Sequence, residues 1–187
     1  MPVETPVRAA DAATALHVCW DRSRAIVNLR GDPDDTGLVD AVSAAVGLPL
    51  PTQAGGCPAS TSRRIVWAGP DDWFVLGEPG AEGAIAAALR AAAGARHHAV
   101  TDVSSGYCVL RLAGPPARDV LAQGCPQDFH PRAFPVGRCT GTHFYKASVW
   151  LWRTDDDAFE LLVRSSFAGY VALLLKAGTL ECGMIQG

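Results

Sequence analysis

The sequence predicts an α+β fold, an antiparallel-rich sheet backed by helices and built as an internal pseudo-repeat of strand, helix, strand, strand, helix. Three observations carry the α+β architecture. Short apolar runs recur between breaks rich in Gly, Pro and Asp, as strands joined by turns do. Longer segments bearing Ala, Leu and Val show the period of amphipathic helices. The two halves also overlay: Asn28–Pro33 on Arg111–Pro116, Asp72–Leu76 on Ala158–Leu162, and Leu89–Arg90 on Leu175–Lys176, with an offset that drifts only from 83 to 86 residues. A single domain over residues 1–187 is expected, with halves at about 24–94 and 106–178 and one sheet covered by helices on one side.

The elements follow in order. Residues 1–13 contain Pro2, Glu4, Pro6 and Asp11, form no apolar leader, and are expected to be loose. Leu16–Trp20 and Ala25–Leu29 have strand content, with a turn at Asp21-Arg22-Ser23. Gly31–Thr36 breaks the chain; Thr36 is placed to cap a helix carrying Leu38, Val39, Val42 and Val46, and Gly47 ends it. Pro51–Ser62 reads as a flexible loop. Arg64–Trp67 and Trp73–Leu76 are strands around the Gly69–Asp72 turn, and Ala81–Ala93 is a helix closed by Gly94. In the second half, Tyr107–Leu112 is a strand and a short helix with Val120 and Leu121 stops at Gly124. A loop rich in Pro and Phe runs from Pro126 to Gly137. Thr142–Trp152 and Phe159–Val163 are strands joined by the acidic turn Asp155–Asp157. Ser165 is placed to cap a last helix with Phe167, Tyr170, Val171, Leu174 and Leu175, with Gly178 after it.

Composition narrows the function. Apolar residues make up 49% and charged residues 19% of 187, enough for a buried core. The net charge of −3, without a basic run, argues against nucleic acid as partner. The longest apolar stretch, near Tyr170–Leu175, is far short of the ~20 residues a membrane span needs, so a soluble, cytoplasmic protein without a membrane partner is expected. Cys19, Cys57, Cys108, Cys125, Cys139 and Cys182 show no Cys-x-x-Cys spacing and read as reduced, mostly buried thiols.

No catalytic, cofactor-binding or metal residue stands out. His97-His98 are expected at the end of a helix, where as neighbours their rings diverge and chelate one ion poorly. Asp102-Val103-Ser104-Ser105 fits a turn organised by side-chain-to-backbone hydrogen bonds. The acidic triplet lacks the rest of a calcium loop. Gly114-Pro115-Pro116-Ala117-Arg118 opens a helix, but two prolines remove N–H groups that a phosphate cradle needs. Cys139 beside Arg138 reads as a small buried residue in a turn, with a reactive thiolate as the sharper alternative. Arg164 precedes a helix start, whose dipole repels it, so it is expected to meet a carboxylate, either Asp102 or one on a partner chain. Val149 to Trp152 is apolar on both strand faces, as in a strand covered twice or covered by another protein.

Specific stretches resemble one family. Ala68–Leu76 looks like the Gly-Pro-Asp-Glu-Trp motif of sarcosine oxidase gamma subunits, and Thr101–Gly106 is similar to their Asp-Val-Ser segment. Leu112–Phe129, Phe134–Gly137 and Phe159–Ala168 follow the same family's pattern, and the resemblance runs from about Arg24 to Leu175. It marks Trp73, Asp102, Ser104, Gly114, Arg118, Arg164, Ser165 and Phe167 as structural or interface residues. It implies a fold like the folate-binding domain of glycine-cleavage T-proteins, and a complex of alpha, beta, gamma and delta subunits. By resemblance, that complex oxidises sarcosine to glycine with peroxide, releasing formaldehyde or passing the carbon to tetrahydrofolate. FAD, FMN and NAD are implied on alpha and beta and zinc on delta, with no cofactor on gamma.

The departures favour a non-catalytic subunit. Where T-proteins carry an Asp pair, Thr142-His143-Phe144-Tyr145-Lys146 has no carboxylate to handle a proton at a folate nitrogen. Gly137–Thr142 keeps the Gly, Cys and Gly of the iron–sulfur-assembly folate proteins but lacks their Lys and Gln. Two alternatives remain: a free-standing folate-binding aminomethyltransferase-like protein, and the equivalent subunit of an N-methylglutamate dehydrogenase-type complex.

Overall fold

The structure, a computed structural model, describes Val3–Glu4 and residues 16–181. Cys182, and the N-terminal arm apart from Val3–Glu4, lie outside the described residues. The chain forms two compact units. One gathers the described residues of Met1–Arg22, Gly106–Val136 and Gly141–Gly187; the other is Ser23–Ser105 with Gly137–Thr140.

The chain opens with β1 (Val3–Glu4) and β2 (His17–Asp21), which pair antiparallel in the first unit. The second unit then runs β3 (Ala25–Gly31), α1 (Thr36–Val46), β4 (Arg64–Gly69), β5 (Asp72–Gly77), α2 (Glu82–Ala93) and β6 (His98–Asp102). Its sheet has the order β4-β5-β3-β6, every neighbour antiparallel. This is the split βαβ arrangement, with β5 and β3 central and β4 and β6 at the edges. Ile26, Val27 and Leu29 are buried on both faces of β3, as a central strand requires. Leu38, Val42 and Val46 of α1 join Ile85 and Leu89 of α2 in one core with Val27, Leu29 and Val75. Asp35, not Thr36, caps α1: its Oδ1 accepts the Leu38 N–H at 3.0 Å. Thr36 is already helical, so its position is one residue too late for the cap. Gly47 closes the helix at φ 75°, where its N–H reaches Ser43 O.

The first unit resumes with β7 (Tyr107–Ala113), α3 (Ala117–Gly124), β8 (Cys139–Phe144, from Gly141 onward), β9 (Ala147–Asp155), β10 (Ala158–Arg164) and α4 (Ala168–Glu181). Its sheet has the order β1-β2-β7-β10-β9-β8. Within it, β9-β10-β7-β2 reproduces β4-β5-β3-β6, so β2 takes the place that β6 takes in the other sheet. The core of this unit joins Leu110 and Leu112 to Val120, Leu121, Phe159, Leu161, Val171 and Leu175. Phe129 and Phe134 anchor the Pro126–Gly137 loop in it, with Phe129 edge-on to Phe159 at 5.6 Å.

Several expectations are corrected. The strands form two sheets, not one, and β2 and β3 are not a hairpin: β2 pairs with β7, while β3 pairs with β5 and β6. Local strand content does not specify a distant partner. His97-His98 do not end a helix; His98 begins β6, a mostly exposed strand whose weak apolar pattern hid it. Residues 142–152 are not one strand but parts of β8 and β9 around Tyr145-Lys146, with Tyr145 at φ 51° and its N–H on Gly124 O at 2.6 Å. That turn has no Gly, Asn or Asp to announce it. Ser165–Phe167 forms a 3-10 turn ahead of α4, which then runs through Gly178. Among the described residues no helix is long and apolar enough to cross a membrane.

Asp35→Ala removes the α1 cap and should cost about 1 kcal/mol. Urea unfolding of the variant beside the parent checks this through a lower midpoint at unchanged slope.

Candidate functional site

The residues singled out by the sequence act first as braces within their own units. Ser104 stands just past β6 and closes it onto β3. Its Oγ accepts the Ile26 N–H at 2.9 Å and lies 3.3 Å from Ile26 O, and the Val103 N–H reaches the same carbonyl at 3.0 Å. Asp102 orients that hydroxyl, accepting from Ser104 Oγ at 2.6 Å and from Ser104 N–H at 3.0 Å. The Ser104 hydroxyl, then its N–H, hold the Asp102 carboxyl below the usual carboxylate range. Its carboxylate is thus engaged by its own turn.

Trp73 is fully buried on β5, and its Nε1 donates to Pro51 O at 2.7 Å. This pins one end of the 51–62 loop, whose far end is tied by an isolated bridge between Ala59 and Arg64. On the same hairpin, Asn28 Nδ2 donates to Asp72 Oδ1 at 2.6 Å, and Arg30 pairs with Asp71 at 2.7 Å. Arg30 and Asp71 line a surface depression of about 500 Å³ with Asp32, His97 and His98. His98 Nδ1 lies 2.8 Å from Arg96 O. Among the described residues no three His, Cys, Asp or Glu side chains gather as a metal set.

In the first unit the acidic turn is a structural knot. Gly114, at φ 126°, donates its N–H to Asp157 O at 2.9 Å. Arg118, one helical turn on, donates to Asp156 O at 3.0 Å and lies 3.7 Å from the Asp157 carboxylate. Arg153 completes it, and sequence reasoning missed this residue. It is only 2% exposed, yet Nε donates to Asp155 O, Nη2 to Asp156 Oδ1 at 2.8 Å, and Nη1 to Phe134 O at 3.2 Å. The available signal was an arginine closing an apolar strand two residues before three aspartates. Two guanidinium groups therefore answer the carboxylates that a cation site would use.

Arg164 lies over the Tyr107 ring, 5.4 Å from its centroid, and Tyr107 meets Trp150 edge-on at 6.1 Å. Arg164 makes this ring contact because β10 sets it opposite Tyr107 in register. Ser165 begins the 3-10 turn, and Phe167 ends it, edge-on to Tyr170 at 6.2 Å. Trp152, the neighbour of Trp150 on that face of β9, is fully buried, and its Nε1 donates to Glu160 at 2.8 Å.

Cys139 is no activated thiolate. Its hydrogen bond to Cys57, then its burial, push its pKa far up, against a weaker pull from Arg138. The 142–146 stretch, where T-proteins place their carboxylates, is the end of β8 and its turn. It offers a hydroxyl, an imidazole, a phenol and an ammonium, and no carboxylate.

Comparison with known proteins fits this picture. The model of the sarcosine oxidase, gamma subunit family matches residues 30–181. Sarcosine oxidase subunit gamma of Corynebacterium sp. (strain P-1) is 39% identical over 142 residues, covering 75% of this chain and 68% of that one. The Arthrobacter sp. protein of the same name is 37% identical over the same shares. A chain of the heterotetrameric sarcosine oxidase from Corynebacterium sp. U-96, solved with pyrrole 2-carboxylate, matches with TM-score 0.86 at 30% identity, over 96% of this chain and 91% of that one. The glycine cleavage system aminomethyltransferase T of Bartonella henselae shares the fold, with TM-score 0.59 at 16% identity over 83% of this chain and 44% of that one.

Trp73→Phe removes the donor to Pro51 O and should cost about 1–3 kcal/mol, read by chemical denaturation. Asp102 has a depressed folded-state pKa, so its contribution to stability is present above the ordinary carboxylate value and fades as pH falls through the folded one. The gap in thermal midpoint between the parent and Asp102→Ala should therefore narrow below about pH 4. A gap independent of pH would show that the carboxylate's charge is not what matters.

Proposed function

We propose a function from one premise: the chain belongs to the sarcosine oxidase gamma subunit family. It works as the gamma subunit of a heterotetrameric sarcosine oxidase, a non-catalytic scaffold in a complex that oxidises sarcosine to glycine. The observation that carries the scaffold role is how the motif residues are engaged. Asp102 and Ser104 close β6 onto β3, Trp73 pins a loop, and Gly114 and Arg118 hold the acidic turn. These groups meet their own chain and leave the chemistry to others.

The assembly half of the reading rests on α4 and the turn before it. Phe167, Tyr170 and Leu173 are 39%, 36% and 71% exposed and follow one another at helical spacing of three. An apolar stripe of this kind suits a face that another chain covers. In this reading the partners are alpha, beta and delta subunits. FAD, FMN and NAD belong to alpha and beta, zinc to delta, and tetrahydrofolate is taken up by the partner chains. The complex is cytoplasmic, and Arg164 on its Tyr107 platform faces a partner carboxylate.

Co-expression with the neighbouring reading frames, a tag on this chain and a flavin spectrum test the proposal. Flavin-bearing partners are expected in fixed ratio. A colourless chain recovered alone, in the presence of expressed partners, overturns the assembly reading, and folate binding by that lone chain would establish the free-standing alternative. Leu173→Asp should lower partner recovery about tenfold, one contact of about 1.4 kcal/mol, and leave the melting of the isolated chain unchanged.

A further inference from the structure

We propose that Cys57 and Cys139 are a reversible dithiol–disulfide pair, a covalent latch that fastens residues 137–140 to the 51–62 loop. Residues 137–140 are the one stretch after Ser105 that belongs to the second unit. They are held there by backbone bonds to the loop. Gly56 and Arg138 form an antiparallel bridge, and the Cys139 N–H donates to Gly55 O at 3.1 Å. Cys139 Sγ donates to Gly56 O at 3.1 Å and lies 3.7 Å from Trp67 O. Gly56 is bonded directly to Cys57, so this contact brings the second thiol alongside, and the two sulfur atoms share a hydrogen bond. Nothing in the scaffold role calls for two thiols at this crossing point.

The two sulfur atoms are not equivalent. Cys57 is 5% exposed and Cys139 1%, so a small oxidant reaches Cys57 first. Arg64 Nη1 lies 3.4 Å from Cys57 Sγ, a cation placed to favour thiolate there. Cys139 keeps its proton, because the bond to Cys57 and burial both favour the thiol. Hydrogen peroxide is the oxidant in this scheme. The Cys57 thiolate attacks one peroxide oxygen, the O–O bond breaks, hydroxide leaves, and Cys57 becomes a sulfenic acid. The Cys139 sulfur then attacks the Cys57 sulfur, the S–O bond breaks, and the Cys139 proton leaves with the hydroxyl as water. Two thiols and one peroxide give one disulfide and two waters, and an external thiol reverses the step. The bond would close a long loop, which restricts the unfolded chain strongly.

The inference rests on residues of this chain alone and stands whether or not the assembly reading does. The full chain is treated with hydrogen peroxide, denatured, alkylated and mapped by mass spectrometry. Cross-linked peptides containing Cys57 and Cys139, lost on dithiothreitol, are expected, with Cys19, Cys108 and Cys125 recovered alkylated. The oxidised chain should also melt several degrees higher than the reduced one, reversibly. Recovery of both thiols as alkylated peptides, or oxidation of Cys57 to sulfinic acid without a cross-link, overturns the proposal. The map is read on the parent chain, so no variant needs to fold; Cys139→Ser, where it folds, should abolish the cross-link and leave Cys57 open to over-oxidation.

Discussion

Strand β3 hydrogen-bonds to β5 on one side and β6 on the other, and β7 does the same with β10 and β2. Each of these strands is central in its sheet and buried along one face and part of the other, so its N–H and C=O groups are met by neighbours on both edges. The run that each strand heads, β3-α1-β4-β5-α2 or β7-α3-β8-β9-β10-α4, supplies only one of those neighbours. The other comes from the segment that precedes the opposite run: β2 stands before β3 but joins β7, and β6 stands before β7 but joins β3. The two units are in this sense one repeat written twice, with the leading strands exchanged.

The motif residues find their purpose in that arrangement. An exchanged strand has no tight turn to hold its register, and β6 is held by the Asp102–Ser104 pair clasping Ile26 at its end. The acidic turn after β9 likewise needs Arg118 and Arg153, since three adjacent carboxylates repel one another. A family signature made of Gly, Pro, Asp, Ser and Arg can thus mark the joints of a scaffold as readily as the groups of an active site.

Much of this was legible in the sequence. The apolar runs gave β3, β4, β5, β7 and β10 to within a residue or two, and the Leu38-Val42-Val46 and Ile85-Leu89 stripes gave α1 and α2 with their buried faces. The Asp-Val-Ser segment reads correctly as a side-chain-to-backbone turn, because that chemistry is local. What escaped is non-local or lacks a residue signature. The pairing of β2 with β7 joins segments far apart in the chain. The turn at Tyr145 uses a bulky residue at positive φ, held by Gly124 O, so no glycine betrays it. Arg153 looks like a flaw in an apolar strand until the carbonyls around it are seen. The contact of Arg164 with Tyr107 has the same origin, a register set by β10 against β7.

The exchange of leading strands also sets an order of events at the ribosome. Apart from residues 137–140, the second unit is complete once Ser105 has emerged, and its sheet can then close with β6 in place. By then β2 has long been synthesised, yet its partner β7 is still being made, so β2 must wait with an open edge. Its dwell time is set by translation, at about 5–20 residues per second, and not by its own folding rate. The short length of β2, and the charge of Asp21 at its end, are the kind of safeguard that keeps a waiting edge from pairing with the wrong chain.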